Sequence, residues 1–280
     1  MSRVRIPSIA LVEAIVPIFT IMSPIESLLL GIVQGLTEFF PVSSSAHLKI
    51  AKFLMHLDIK EDQVLFDLSC HSGTLIALLF FLRKKIAGLF QKREDFLFLA
   101  MALLPLVPAY FLLKSLRELA SSFSLLGFFL MGTGALLFAS DRMRFKSSPG
   151  NGWKGRSHDV LWIGASQGFA LIPGISRSAS TISCAQSLGW SAAEAVQFSF
   201  LLAIPTILGG NILELVHLLM LSKDPPPLSF SSCLIGFLSS LGVGALMVKP
   251  AIRRLSKGNL RPFGWYCLIL GGVTILYFVQ

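Results

Sequence analysis

Residues 34–50, QGLTEFFPVSSSAHLKI, place a carboxylate, a proline, three serines, a histidine and a lysine among strongly apolar neighbours. In a chain embedded in lipid, an ionisable group is expensive and usually functional, which singles out Glu38. If a helix begins at the serine run, Ser44 and His47 fall about one turn apart on a shared face. A hydroxyl beside an imidazole is a nucleophile with its base, or a site where the base activates a bound water. The plain alternative is that Ser43, Ser44 and Ser45 cap the helix and His47 is a satisfied polar residue. Gln34 lies four residues before Glu38 on the same helical face. The two could hold Mg²⁺ or Ca²⁺, since hard cations take oxygen ligands, with substrate oxygens and water completing the shell.

A second stretch, PGISRSAST at 173–181, surrounds Arg177 with Ser176, Ser178, Ser180 and Thr181. A helix starting here presents unpaired amides and a positive dipole end, which suit an anion. Arginine adds a planar fork matched to phosphate oxygens. An ion pair with Glu38 is the structural alternative. A phosphate group accounts for the arginine, the hydroxyls and the glycine together.

What must hold these residues is a membrane protein. The 280-residue chain is 54% hydrophobic and only 14% charged, which fits an all-α, polytopic helical protein of one integral membrane domain. The net charge of +9 does not indicate nucleic acid, because the basic residues sit in short connections between apolar runs. The four cysteines show no CxxC spacing and are expected as buried free thiols.

Apolar segments are expected at 24–40, 46–56, 63–82, 96–113, 120–140, 159–172, 178–188, 192–219, 229–248 and 262–280. A full crossing needs about 20 apolar residues. The pairs 24–40 with 46–56 and 159–172 with 178–188 fall short, and each is interrupted by a Pro-Ser-rich break. Each pair is expected to form a re-entrant helix-loop-helix hairpin. Basic connections around Arg83–Arg93, Arg142–Arg156 and Lys249–Arg261 are placed in the cytoplasm by the positive-inside rule. With those sides fixed, the second hairpin enters from the cytoplasm and the first from outside, beside the acidic connection of Asp58, Glu61 and Asp62. Two broken hairpins entering from opposite faces define an inverted-topology repeat. The sequence repeats accordingly, GIVQGLTEFFPVSSSA from Gly31 against GASQGFALIPGISRSA from Gly164.

At QGLTEFFPVSSSAH and PGISRSAST the chain resembles the undecaprenyl-diphosphate phosphatases, the bacitracin-resistance lipid phosphatases of bacteria. The resemblance extends over about residues 22–280. It implies hydrolysis of undecaprenyl diphosphate to undecaprenyl phosphate and inorganic phosphate, which recycles the lipid carrier for peptidoglycan synthesis. It also implies a metal-dependent site in the cytoplasmic (inner) membrane, opening to the outer face. Residue by residue, Gln34 and Glu38 match the acidic motif, and Ser44 and His47 the proposed catalytic pair. Ser176, Arg177, Ser178 and Thr181 match the phosphate-binding motif, with Ser43 beside them. Gln34 stands where some members carry glutamate, and Ala46 and Ala179 stand where glycine often occurs. Whether Ser44 attacks or positions a water stays open, with Ser44 preferred as nucleophile.

The expected partners are a polyprenyl diphosphate lipid and the bilayer, with no nucleic acid; a homodimer is left open. Residues 1–21 are an apolar extension, read as an extra segment or a start-site artefact ahead of the 22–280 domain. His71, four residues after Asp67 on one helical face, is read as a structural hydrogen bond, with a secondary polar contact to the site as the alternative. Gly132, Gly134, Gly242 and Gly244 are read as helix-packing surfaces. The competing function is a carrier that moves the phosphorylated lipid across the bilayer. Such a carrier needs phosphate binding but no nucleophile and base.

Overall fold

The computed structural model describes residues 22–57, 64–120, 122–142, 157–221 and 230–278. The extension at 1–21, the acidic connection at 58–63, most of the second basic connection at 143–156 and the turn at 222–229 lie outside the described residues.

The described residues are all-helical apart from their connections. The elements are α1 (Pro24–Thr37), α2 (Ser44–Leu54), α3 (Val64–Gln91), α4 (Arg93–Leu103), α5 (Leu106–Leu112) and α6 (Lys114–Ala120). They continue with α7 (Phe123–Arg142), α8 (Ser157–Phe169), α9 (Arg177–Ser187), α10 (Ala192–Leu221), α11 (Phe230–Leu255) and α12 (Arg261–Phe278). Five segments are long and apolar enough to cross a membrane: Val64–Leu89, Arg93–Leu112, Phe123–Arg142, Ala192–Met220 and Phe230–Leu255. The protein is therefore a multi-pass membrane protein. Large apolar side chains point outward along these helices, as at Phe80, Phe111, Phe128 and Leu246.

Two expected boundaries need correction. The segment 96–113 is two helices, α4 and α5, parted at Leu104 and Pro105 within one apolar span; proline offers no backbone donor to the helical ladder there. The first basic connection is mostly helix, since α3 runs on past Arg83, Lys84 and Lys85 to Gln91. Nothing at those positions breaks a helix, and lysine and arginine are good helix formers.

Sequence explains α1 closely. Ser23 accepts from the Glu26 amide while Glu26 bonds back to the Ser23 amide, and Pro24 opens the helix. This is a complete capping box with proline where its missing N–H costs nothing. Gly31 and Gly35 let α1 lie against α11, where a Cβ would meet Gly236 O at 2.7 Å and Gly244 N at 2.9 Å respectively.

Residue contacts fix the helix directions. Gly31 meets Gly236 and Gly35 meets Gly244, so α1 and α11 are parallel. Phe66 meets Gly236 and Ser240 bonds Cys70 O, so α3 runs with them. By contrast, Lys85 bonds Gln197 and Asn211 bonds Ser72, so α10 is antiparallel to α3. Trp190 bonds Asp159 and Thr206 bonds Gln167, so α8 runs with α10. The two broken pairs thus start from opposite ends of the bundle, an arrangement compatible with the expected inverted repeat and its re-entrant hairpins.

Antiparallel α7 and α12 close the bundle through glycines seven residues apart on each helix. A Cβ on Gly127 would stand 2.7 Å from Gly271 O, and one on Gly134 would stand 2.8 Å from Gly264 O. Close backbone approach through small residues is the usual device for packing helices in lipid. Of the four glycines expected to do this, Gly134 and Gly244 do, while Gly132 and Gly242 meet nothing within 4 Å. Replacing Gly271 by valine is expected to cost at least about 1–3 kcal/mol by overpacking. Thermal unfolding in detergent should show a clear drop in midpoint for Gly271→Val, and an unchanged one for Gly132→Val. The four cysteines are free, with Cys70 and Cys267 buried and Cys184 and Cys233 half-buried.

Candidate active site

The two Pro-Ser breaks are elbows, 38–43 between α1 and α2 and 170–176 between α8 and α9, and they meet. Arg177 Nη2 donates to Glu38 Oε1 at 2.9 Å, and Ser178 Oγ donates to the Phe40 carbonyl at 3.1 Å. Both elbows line a cavity of about 310 Å³. Its polar wall is Glu38, Ser43, Ser44, Ser45, His71, Gln167, Ser176, Arg177, Ser178, Thr206 and Asn211. Leu68, Leu106, Leu171, Ile175 and Ile207 supply the apolar wall.

Each elbow delivers a helix N-terminus to this cavity. Ser176 caps α9 by accepting from the Ala179 amide. Ser43, which precedes α2, makes no side-chain cap and sits at φ 68°, ψ 87°. A left-handed backbone is rare for a non-glycine residue and persists only where the surroundings enforce it. Here it reverses the chain so that Ser44, first in α2, faces back toward Glu38. Two positive dipole ends and an arginine converge on one space, which suits a highly charged anion.

Glu38 is the hub. It is 8% exposed, and both oxygens are engaged. Oε1 accepts from Arg177, while Oε2 accepts from Ser44 Oγ at 2.7 Å and from Gln34 Nε2 at 2.9 Å. The ion pair weighed as the structural alternative for Arg177 is therefore present. It uses little of the guanidinium, whose hydrogen bonds go to Glu38 and the Ser199 carbonyl out of five donors. Arg177 lines the cavity with capacity for an anion.

The structure brings together Gln34, Glu38, Ser44 and Arg177, and sets Ser43, Ser176 and Ser178 on the cavity wall. Thr181 lies behind it, fully buried, bonding Ser199 Oγ and the Arg177 carbonyl. His47 is placed differently from expectation. Its Nδ1 meets the Ser43 carbonyl at 2.8 Å and its Nε2 meets Tyr266 Oη at 2.7 Å. No hydrogen bond joins His47 to Ser44 among the described residues. The first turn of α2 puts the two on neighbouring positions, but the left-handed Ser43 turns the Ser44 hydroxyl to Glu38, leaving the imidazole to α12.

His71 takes the second of its two expected places, a polar contact to the site. It lines the cavity, accepts from Gln34 Nε2 at 2.8 Å, and lies 3.6 Å from Glu38 Oε2. Asp67, its expected partner, instead holds the buried Lys52 through both carboxylate oxygens at 2.7 Å. The signal for His71 was available, since a histidine in an apolar helix invites a functional reading. Asn211, about two-thirds of the way along apolar α10, carried the same signal. Gln167, which bonds Thr206, stands in the second repeat where Gln34 stands in the first.

The proposed metal ligands fit poorly. Gln34 turns its amide nitrogen toward Glu38 and His71, and its Oε1 is buried without a partner. Glu38 and Gln34 therefore do not present two oxygens to one point. Among the described residues, no three His, Cys, Asp or Glu side chains gather to hold an ion.

Fold and cavity together define a polytopic membrane protein in which two broken helix pairs meet at an arginine-bearing polar cavity. The chain belongs to the bacitracin resistance protein BacA family, whose model matches residues 27–273. It is 38% identical over 255 residues to the undecaprenyl-diphosphatase of Protochlamydia amoebophila, covering 90% of this chain and 98% of the relative. The undecaprenyl-diphosphatase of Desulfosudis oleivorans is 39% identical over 277 residues, covering 91% and 98%. That of Carboxydothermus hydrogenoformans is 36% identical over 258 residues, covering 91% and 97%.

Proposed function

We propose that the chain hydrolyses undecaprenyl diphosphate to undecaprenyl phosphate and inorganic phosphate, returning the lipid carrier to cell-wall synthesis and so conferring bacitracin resistance. The observation that carries the reaction chemistry is Glu38 joining Ser44 and Arg177 in one cavity. A carrier would need the arginine but not a hydroxyl hydrogen-bonded to a buried carboxylate.

In this reading Ser44 Oγ attacks the terminal phosphorus while its proton passes to Glu38 Oε2. The P–O bond to the inner phosphate breaks, and undecaprenyl phosphate leaves with the bonding electron pair. Glu38 passes that proton to the departing undecaprenyl phosphate. Water then attacks the phosphoserine and gives a proton to Glu38. The Oγ–P bond breaks as inorganic phosphate leaves, and Ser44 Oγ takes the proton from Glu38. Arg177 and the amides opening α2 and α9 stabilise charge on the transferring group, which is where most of the rate enhancement in phosphoryl transfer arises. Gln34 orients Glu38 and His71 through its two amide protons. The isoprenoid tail leaves the cavity toward lipid past its apolar wall.

Ser44→Ala is expected to lower kcat about a thousandfold, equivalent to about 4 kcal/mol. Acid-quenched wild-type protein should carry phosphate on Ser44 by mass spectrometry. A Ser44→Ala variant within tenfold of wild type would assign the attack to water instead.

A divalent cation, Mg²⁺ or Ca²⁺, remains part of the proposal only as a companion of the substrate. Its shell would come from diphosphate and water oxygens, since the Glu38 oxygens are already engaged by Arg177, Ser44 and Gln34. Chelator is expected to suppress phosphate release, and added cation to restore it; full activity in chelator would remove the ion from the reading.

The placement proposed is the bacterial cytoplasmic membrane, with the cavity open to the outer face. In support, parallel α3 and α11 carry Arg83–Lys85 and Arg253–Arg254 toward one end, which the positive-inside rule assigns to the cytoplasm. His71 lies near the opposite end of α3.

A further inference from the structure

We propose that Tyr266, acting through His47, is a positioning residue that sets Ser44 on Glu38, and that His47 is not the base of the reaction. The inference rests on the phosphatase reading and goes beyond it by assigning α12 a role at the first elbow.

The chemistry of the contacts fixes the state of His47. The Ser43 carbonyl can only accept, so the proton of a neutral imidazole sits on Nδ1. Nε2 is then the acceptor for the Tyr266 hydroxyl at 2.7 Å. Both ring nitrogens are committed to holding structure, and neither reaches Ser44. The carbonyl they hold belongs to Ser43, the residue whose left-handed backbone aims the next hydroxyl at Glu38. A second ring nitrogen partner is what keeps the imidazole from swinging off that carbonyl.

One stretch of α12 makes three successive contacts with the elbow. The Phe263 ring lies 5.5 Å from that of Phe40, Cys267 Sγ approaches the Pro41 carbonyl at 3.7 Å, and Tyr266 holds His47. The partner helix α7 does the same for the second elbow. Thr133 Oγ1 donates to the Gly174 carbonyl at 2.9 Å and accepts from the Ser176 amide at 3.1 Å, beside Arg177. The glycine-packed α7–α12 pair therefore brackets both elbows, and Tyr266 is the polar end of that bracket at Ser44.

The test uses the full-length protein in detergent with a polyprenyl diphosphate. Tyr266→Phe is expected to lower kcat about tenfold, with KM within twofold and the pH midpoints of the kcat profile unmoved. His47→Asn, whose amide can still donate to the Ser43 carbonyl, is expected to keep at least tenfold more activity than His47→Ala. Wild-type turnover in Tyr266→Phe would overturn the proposal. So would a His47→Asn variant as inactive as His47→Ala, with the acid limb of the profile lost in both. Amide hydrogen exchange gives a readout independent of turnover. Exchange in peptides covering 40–47 should rise severalfold in Tyr266→Phe, and unchanged exchange there counts against the proposal. Failure of the wild-type protein to release phosphate would strike the phosphatase reading, while the exchange measurement would still decide whether Tyr266 holds the elbow.

Discussion

Arg177→Ala is expected to abolish phosphate release, with kcat/KM down at least about a thousandfold, or about 4 kcal/mol of transition-state stabilisation. Among the described residues of the cavity wall Arg177 is the only lysine or arginine, so no other fixed positive charge there replaces the guanidinium. Arg177→Lys should recover little, because an ammonium is a point charge without the planar fork that can hold Glu38 and a phosphate together. Arg177→Ala leaves Glu38 buried without its charge partner, a situation that typically costs about 3–5 kcal/mol of stability. Size-exclusion profile and melting temperature must therefore accompany the assay. Activity within tenfold of wild type in a folded Arg177→Ala protein would remove the phosphate cradle from the account.

Glu38→Gln is expected to be equally damaging for a different reason. It keeps the shape of the side chain but removes the acceptor that takes the Ser44 proton, and it leaves Arg177 unneutralised inside the protein. A double variant, Glu38→Gln with Arg177→Met, separates the two effects. Because both residues serve one step, the double variant should be no less active than either single one. It should also unfold at a higher temperature than either single variant, since both buried charges leave together. Phosphate release near wild type in Glu38→Gln would place the proton acceptor elsewhere, with His71 the residue to examine next.

Much of this arrangement was legible in the chain. Short apolar segments broken by PVSSSAH and PGISRSAST announced two elbows, because a helix cannot run through that density of proline and serine without interruption. Charge placement then put the elbows in opposition, and the helix directions agree. What the sequence could not show was rotation about a single residue. Spacing alone paired Ser44 with His47, since helical periodicity assumes a regular backbone from the first turn. The left-handed Ser43 breaks that assumption and gives the hydroxyl to Glu38. For His71, helical spacing points first to Asp67, and only tertiary packing shows that Lys52 takes that carboxylate and frees the imidazole for the site. The split of 96–113 was legible at Pro105 and was overlooked in favour of its apolar length, while α10 and α11 continue through Pro205 and Pro250. Proline alone therefore did not decide which segments break.

The Glu38–Arg177 clasp has a consequence for the protein between turnovers. With one full negative and one full positive charge in contact, the centre is close to electrically neutral, so burying the pair costs less than burying either charge alone. An arriving pyrophosphate brings several negative charges at once and can draw the guanidinium from its carboxylate partner, whereas a singly charged ion offers no such pull. The same contact that quiets the vacant protein thereby sets a threshold that only a densely anionic headgroup crosses.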